Sequence, residues 1–207
     1  IQVDWETESA VITTYNGVED LDVKLGRRTV TTGCGQGTVF GGLMDDLDKI
    51  NLPNVRTSQA TLYRLLKTLS EHNEIYKRAG AVHGCALCQD QHMLHFVEDV
   101  GRHNAVDAIA GQMWLNGTHG HDKLFYTTGR LTSEMVIKVA QMGIPVLLSR
   151  SGATEMGRAL AEKIGVTLIA RAKGRHFLVY NGADRIDFDA VPEKPRSAAS
   201  STEHQRT

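Results

Sequence analysis

A three-layer α/β/α sandwich with a mostly parallel sheet, preceded by an N-terminal hairpin, is the fold this sequence predicts. From Lys123 onward, strand-like runs alternate regularly with amphipathic segments. Those segments are about a dozen residues long, the length of a crossover helix in a βαβ unit. Right-handed crossovers of that kind build a parallel sheet covered on both faces. With 207 residues, 41% of them hydrophobic, the chain is long enough to bury the core such a sandwich needs.

The elements follow in order. "IQVDWETESAVITTY" alternates apolar and polar residues like a strand, and "SAVITTY" with "DLDVKLGRRTVTTG" reads as a hairpin turning at Asn16 and Gly17. "SQATLYRLLKTLSEHNEIYKRAG" repeats leucines at helical spacing, with Ser58 as N-cap and Gly80 as stop. "HMLHFVEDV" reads as a strand and "HNAVDAIAGQMWLNG" as the helix after it. Then come strand "KLFYTTG", helix "TSEMVIKVAQMG", strand "PVLLS", helix "ATEMGRALAEKIG", strand "VTLIARAK" and its partner "HFLVY". The polar tail, residues 191–207, reads as disordered. We expect residues 1–30 to form N-terminal strands and 31–190 the main domain. The chain starts with Ile, so upstream sequence is expected.

The bulk numbers narrow the partners. A formal net charge of -1 gives no nucleic-acid footprint. No run approaches the roughly 18 apolar residues of a membrane span, and no signal peptide is visible. Three cysteines argue against a disulfide framework and for a reducing compartment, the cytoplasm.

Parallel sheets bind ligands beyond the carboxyl ends of their strands, so the loops there hold the candidate site. "TTGRLTSEM" and "SRSGATEM" each offer small hydroxyls, a glycine, an arginine and a helix N-terminus, which suit phosphate oxygens. Gly129, Arg130 or Arg150, and Ser151 are the candidates there, although Thr132 or Ser151 could simply cap its helix. "VEDVGRHNAVD" crowds Glu98, Asp99, Arg102 and His103 into one turn; they could orient a ligand, move protons or pair with one another. "ARAKGRHF" adds the basic residues Arg171, Lys173, Arg175 and His176 at the end of the last parallel strand.

Sulfur appears twice. "VHGCALCQDQH" holds Cys85 and Cys88 in a C-x-x-C beside His83, which reads as a buried pair of small thiols or as a zinc site. A deaminase-type zinc site needs a glutamate two residues after the histidine and a downstream P-C-x-x-C; Cys85 occupies the first position and the second is missing. Cys34, in "TTGCGQGTVF", is flanked by Gly33 and Gly35. A bare loop can place backbone N–H groups around a thiolate and admit a partner's active site, or it can be a flexible loop with an incidental cysteine.

"TGCGQG", "VEDVGRHNAVD", "TTGRLTSEMVIKVAQMGIPVLLSRSGAT" and "TLIARAKGRHFLVY", in this order, resemble the formate dehydrogenase accessory sulfurtransferase (FdhD) family, over about Val30 to Ile186. The resemblance implies a cytidine-deaminase-like α/β/α fold without the zinc chemistry. It implies a sulfurtransferase that takes persulfide sulfur from a cysteine desulfurase and passes it to the molybdenum bis(molybdopterin guanine dinucleotide) cofactor needed by formate dehydrogenase. The family's persulfide cysteine falls on Cys34, and its second loop cysteine is replaced by Gly37. Its cofactor-binding segment falls on Arg171, Ala172, Lys173, Gly174, Arg175 and His176, and a T-x-x-H-A block falls loosely near His83. Expected partners are the desulfurase, apo formate dehydrogenase and a second copy of the chain; neither nucleic acid, membrane nor zinc is expected. A non-catalytic cofactor chaperone, or a zinc hydrolase, remains as the alternative.

Overall fold

The computed structural model describes residues 1–15, 17, 47 and 49–192. The chain divides into two compact units, Ile1–Asp46 and Leu47–Thr207. In the first unit, β1 (Gln2–Asp4) pairs antiparallel with β2 (Ser9–Val11). The turn between them breaks the alternating run expected as one strand: Asp4 Oδ1 accepts from the N–H groups of Glu6 and Thr7, and Glu8 takes a positive φ of 51°. The second arm of the expected hairpin, Cys34 and the tail beyond residue 192 lie outside the described residues.

In the second unit, β3 (Thr57–Ser58) leads into α1 (Gln59–His72), then α2 (Glu74–Ala79), β4 (His83–Gln89) and β5 (His92–Asp99). After α3 (Arg102–Leu115) come β6 (Leu124–Thr127), α4 (Ser133–Gln141), β7 (Val146–Ser149), α5 (Glu155–Ile164), β8 (Thr167–Lys173), β9 (His176–Asn181) and β10 (Ile186–Asp187). Ser58 caps α1 by accepting from the Thr61 N–H, and Gly80 closes α2 at φ 69°, as the sequence predicts. The expected single helix breaks at buried Asn73, whose Nδ2 donates back to the Leu69 carbonyl.

Six strands form one sheet in the order β5–β4–β6–β7–β8–β9. The neighbours β6, β7 and β8 are parallel, while β4 runs antiparallel to both β5 and β6, and β9 antiparallel to β8. Four of the six strands, β5 to β8 without β4, therefore point the same way. This confirms the α/β class with its mostly parallel sheet.

The period of two along a strand sorts its side chains onto two faces. Ala86, Cys88, Tyr126, Leu148 and Ile169 face Leu62, Leu65, Leu66 and Leu69 of α1 in one buried cluster. Alternation sends Cys85, Leu87, Phe125 and Leu147, all fully buried, to the other face. There α3 lies over β4 and β5, α5 lies over β8 and β9, and α4 packs between these helices. Among the described residues no helix is long and apolar enough to cross a membrane.

One close approach fixes α5 against the loop after β6. A Cβ at Gly157 would lie 2.5 Å from the Leu131 carbonyl oxygen and 3.1 Å from the Thr132 carbonyl carbon, both backbone atoms. Gly157→Ala is therefore expected to cost about 1–3 kcal/mol in urea-induced unfolding. A loss below the error of the fit would mean that the loop yields freely.

Candidate functional site

Strand direction and register bring the predicted loops to one sheet edge. His83 at the start of β4 pairs with Asp99 at the end of β5; Cys85 pairs with Thr127 at the end of β6, and Thr127 with Ser149 at the end of β7. The loops beyond are stitched together by their own backbones. Arg150 N–H donates to Thr127 O (3.1 Å), Leu131 N–H to Gly152 O (3.0 Å), and Arg171 N–H to Ser151 O (2.8 Å). Ser151 N–H donates to Ser149 Oγ and Gly129 N–H to Thr127 Oγ1. These N–H groups are committed inside the protein, so at these positions the donors for a ligand are the side chains.

They line an open cleft of about 480 Å³, formed by Tyr76, Gly80 to His83, Thr128, Arg150, Ser151 and Arg171. Arg150 lies over the Tyr76 ring, 5.8 Å from its centroid. No carboxylate lines this cleft, and neither Arg150 nor Arg171 makes an ion pair among the described residues. The result is a cationic, hydroxyl-bearing hollow suited to phosphate oxygens. Its side wall is His83, whose pKa is lowered first by burial and then by the nearby Arg102 charge.

Arg171 is held there by an irregularity. The β8–β9 register shifts between Ala170 and Lys173, and Arg171 adopts a φ of 54°. Such bulges re-aim side chains. Here the guanidinium is turned over Gly152, where any Cβ would come within 3.3 Å of its nitrogens.

The other candidates separate by location. Ala172 is buried in the α1-side core, while Lys173 and His176 pair across the exposed β8–β9 turn. Gly174 and Arg175 border a second cleft of about 520 Å³ with Tyr63, Arg64, Lys67 and Ala190. Arg175 stacks 5.5 Å from the Tyr63 ring centroid and donates to the Val191 carbonyl. The segment carried over from the family thus divides between two hollows. Ser151 reaches the first cleft and caps no helix; Thr154 caps α5 instead. Gly129 is buried against the Arg102 stem, and Arg130 is exposed outside the cleft lining.

The carboxylates of the "VEDVGRHN" turn serve the backbone. Glu98 accepts from the N–H groups of Ile75 and Tyr76 at the start of α2, and Asp99 accepts from Gly101 N–H and Asn104 Nδ2. His103 is nearly buried and faces Glu134, with Nε2 3.4 Å from Oε2. Burial, then the charges of Arg102 and Lys138, lower its pKa to about 4, while burial raises that of Glu134. Of the two arginines the sequence offers, Arg150 lines the cleft and Arg130 does not; the lining residues that sequence reasoning left out are Thr128 and Tyr76. Thr128 lay within a quoted loop, whereas nothing in "EIYKRAG" marks Tyr76.

Cys85 and Cys88 sit three apart on a strand, so their thiols point to opposite faces of the sheet. Cys85 donates to Thr127 Oγ1 at 3.2 Å on the α3 side, while Cys88 packs in the α1-side core. Burial pushes both thiols up to about 12. One ion cannot be reached by both. Among the described residues, no group of three His, Cys, Asp or Glu side chains could hold a metal.

Comparison with known proteins agrees with the motifs. The chain is 32% identical over 164 residues to the sulfur carrier protein FdhD of Listeria monocytogenes serotype 4b (strain F2365), covering 78% of this chain and 63% of that protein. It is 32% identical over 170 residues to the sulfur carrier protein FdhD of Bacillus subtilis (strain 168), covering 81% and 65%. A crystal structure described as a formate dehydrogenase accessory protein from Desulfotalea psychrophila matches with a TM-score of 0.63 at 35% identity, over 69% of this chain and 61% of that one. The chain spans a little under two thirds of the length of these proteins. The sequence profile of the FdhD/NarQ family matches residues 1–187, and the chain belongs to that family.

Proposed function

We propose that this chain is a sulfur carrier serving formate dehydrogenase, loading sulfur on Cys34 and delivering it to the molybdenum bis(molybdopterin guanine dinucleotide) cofactor as substrate. The observation that carries this reading is the carboxylate-free cleft in which Thr128, Arg150, Ser151 and Arg171 meet. Its unpaired arginines and hydroxyls fit the phosphates of a nucleotide-bearing ligand. Family membership supplies the sulfur chemistry: relatives of this chain are named sulfur carrier proteins.

In the loading step, the Cys34 thiolate attacks the outer sulfur of a cysteine persulfide on a desulfurase. The new S–S bond forms at Cys34, the donor's S–S bond breaks, and the donor cysteine leaves as thiolate. Release of the carried sulfur as sulfide takes two electrons, supplied by two thiols that become a disulfide. With Gly37 in place of a second loop cysteine, and Cys85 and Cys88 protonated in the core, this relay runs through one sulfur. Cytoplasmic residence and a homodimer belong to the same reading.

The test is intact-mass analysis after incubation with cysteine and a desulfurase. The wild-type chain should gain the mass of one sulfur atom, and Cys34→Ala should gain nothing. A persulfide found on Cys85 or Cys88, or none at all, would refute the assignment. Restored formate dehydrogenase activity with Cys34→Ala in cells would favour a chaperone role instead.

A further inference from the structure

Arg102 opens α3 behind the cleft wall, and Glu134 feels its charge without forming an ion pair with it. Arg102 Nε is buried without an acceptor, and the residue makes no ion pair among the described residues. The nearby acids are turned elsewhere. Asp99 is bound to Gly101 and Asn104, Glu98 to the start of α2, and Glu134 faces His103. A half-buried guanidinium without a counter-ion works against folding, because desolvation is uncompensated.

The geometry also joins Arg102 to the cleft wall. The "TTGR" backbone passes directly over its stem, since a Cβ at Gly129 would lie 2.7 Å from Arg102 Cδ. Gly129 follows Thr128, which lines the cleft and accepts from Gly84 N–H. His83, also in the lining, stands 3.4 Å from Thr128 Oγ1 through its Nδ1 and feels the Arg102 charge. Arg150 and Arg171 line the cleft from the β7–β8 side, and Arg102, outside the lining, stands behind Thr128 and Gly129 on the β4–β6 side.

We propose that Arg102 is a third anion-binding arginine, forming with His83 and Thr128 a second subsite, so that the cleft seats a diphosphate rather than a single phosphate. The proposal rests on the reading of the cleft as a phosphate site. It says what the unpaired charge is for: the ligand supplies the counter-ion that the protein withholds.

Inorganic pyrophosphate is the probe, titrated calorimetrically into wild type, Arg102→Met and Arg102→Lys, with thermal unfolding of each ligand-free protein. Arg102→Met should bind pyrophosphate about tenfold more weakly or worse. Its ligand-free melting temperature should equal or exceed wild type, because the stranded charge is gone. Arg102→Lys should retain part of the affinity. Equal affinity in wild type and Arg102→Met would overturn the subsite. So would a lowered melting temperature in both variants, which would make Arg102 a scaffold residue. If wild type itself fails to bind pyrophosphate, the phosphate reading of the whole cleft falls, and this inference with it.

Discussion

Replacing Arg171 with glycine is expected to weaken pyrophosphate binding by about ten- to a hundredfold while leaving the protein about as stable as before. The first half follows from the cleft, where Arg171 is one of two lining arginines and no ion pair among the described residues competes for it. Hydrogen bonds to charged groups are worth about 1.5–3 kcal/mol, which is that range of affinity. The second half follows from the backbone. At a φ of 54° Arg171 holds a left-handed conformation that disfavours any residue with a Cβ, by about 1–2 kcal/mol. Glycine removes that penalty, and its greater freedom in the unfolded chain offsets much of the gain. A residue kept for stability alone would not be placed there. Unchanged affinity in the calorimeter would exclude Arg171 from the ligand site.

Acid should destabilise the fold through His103. Its pKa falls from 6.5 to about 4 on folding, chiefly because the ring is buried. A depressed histidine costs the fold nothing until the unfolded chain begins to take up the proton that the native ring refuses. Its stability contribution is therefore complete above pH 6.5 and is lost as pH falls through about 4, by roughly 3 kcal/mol in all. The groups facing the ring are Arg102 and Asp107 on its own helix, Glu134 and Lys138 on α4, and His83 on β4. Glu134 acts in the opposite sense: its raised pKa gives stability in acid that is lost as pH rises through it, so it offsets part of the histidine effect. Urea unfolding at pH 7 and pH 4.5 should show a steeper acid loss in wild type than in His103→Gln. Parallel losses in the two proteins would mean that another group carries the acid sensitivity.

Much of this architecture was legible because local signals and tertiary packing agree. Ser58, Gly80 and Gly165 stand where caps were needed, and the helix–strand rhythm after Lys123 maps onto β6 to β9. Strand β4 was hidden for a physical reason. A strand covered on both faces has no polar alternation, and "HGCALCQ" is buried from Gly84 to Cys88, so its cysteines drew attention as a motif. Asn73 was hidden too, because a single side chain bonding back to the preceding turn leaves the leucine spacing intact.

The site was half legible. Loop chemistry pointed to Ser151 and Arg171, which the sheet does bring together. Composition could not show that several loop N–H groups are consumed by neighbouring loops and strand ends, nor that Glu98 and Asp99 serve helix starts. It also could not show that Arg175 turns towards Tyr63, away from the cleft that Arg171 enters. Such facts depend on which strand lies beside which, and that is set by crossovers far apart in the chain.

The two core cysteines give this chain an internal chemical contrast. Solvent does not reach either residue, and burial, by pushing both thiols up to about 12, keeps them protonated at neutral pH. Thiol-selective label taken up by the native protein at neutral pH is therefore expected on the remaining cysteine, Cys34. Under the proposed reading, loading of Cys34 can be followed by labelling the natural sequence and weighing the product, since the alkylated thiol and the alkylated persulfide differ by one sulfur atom.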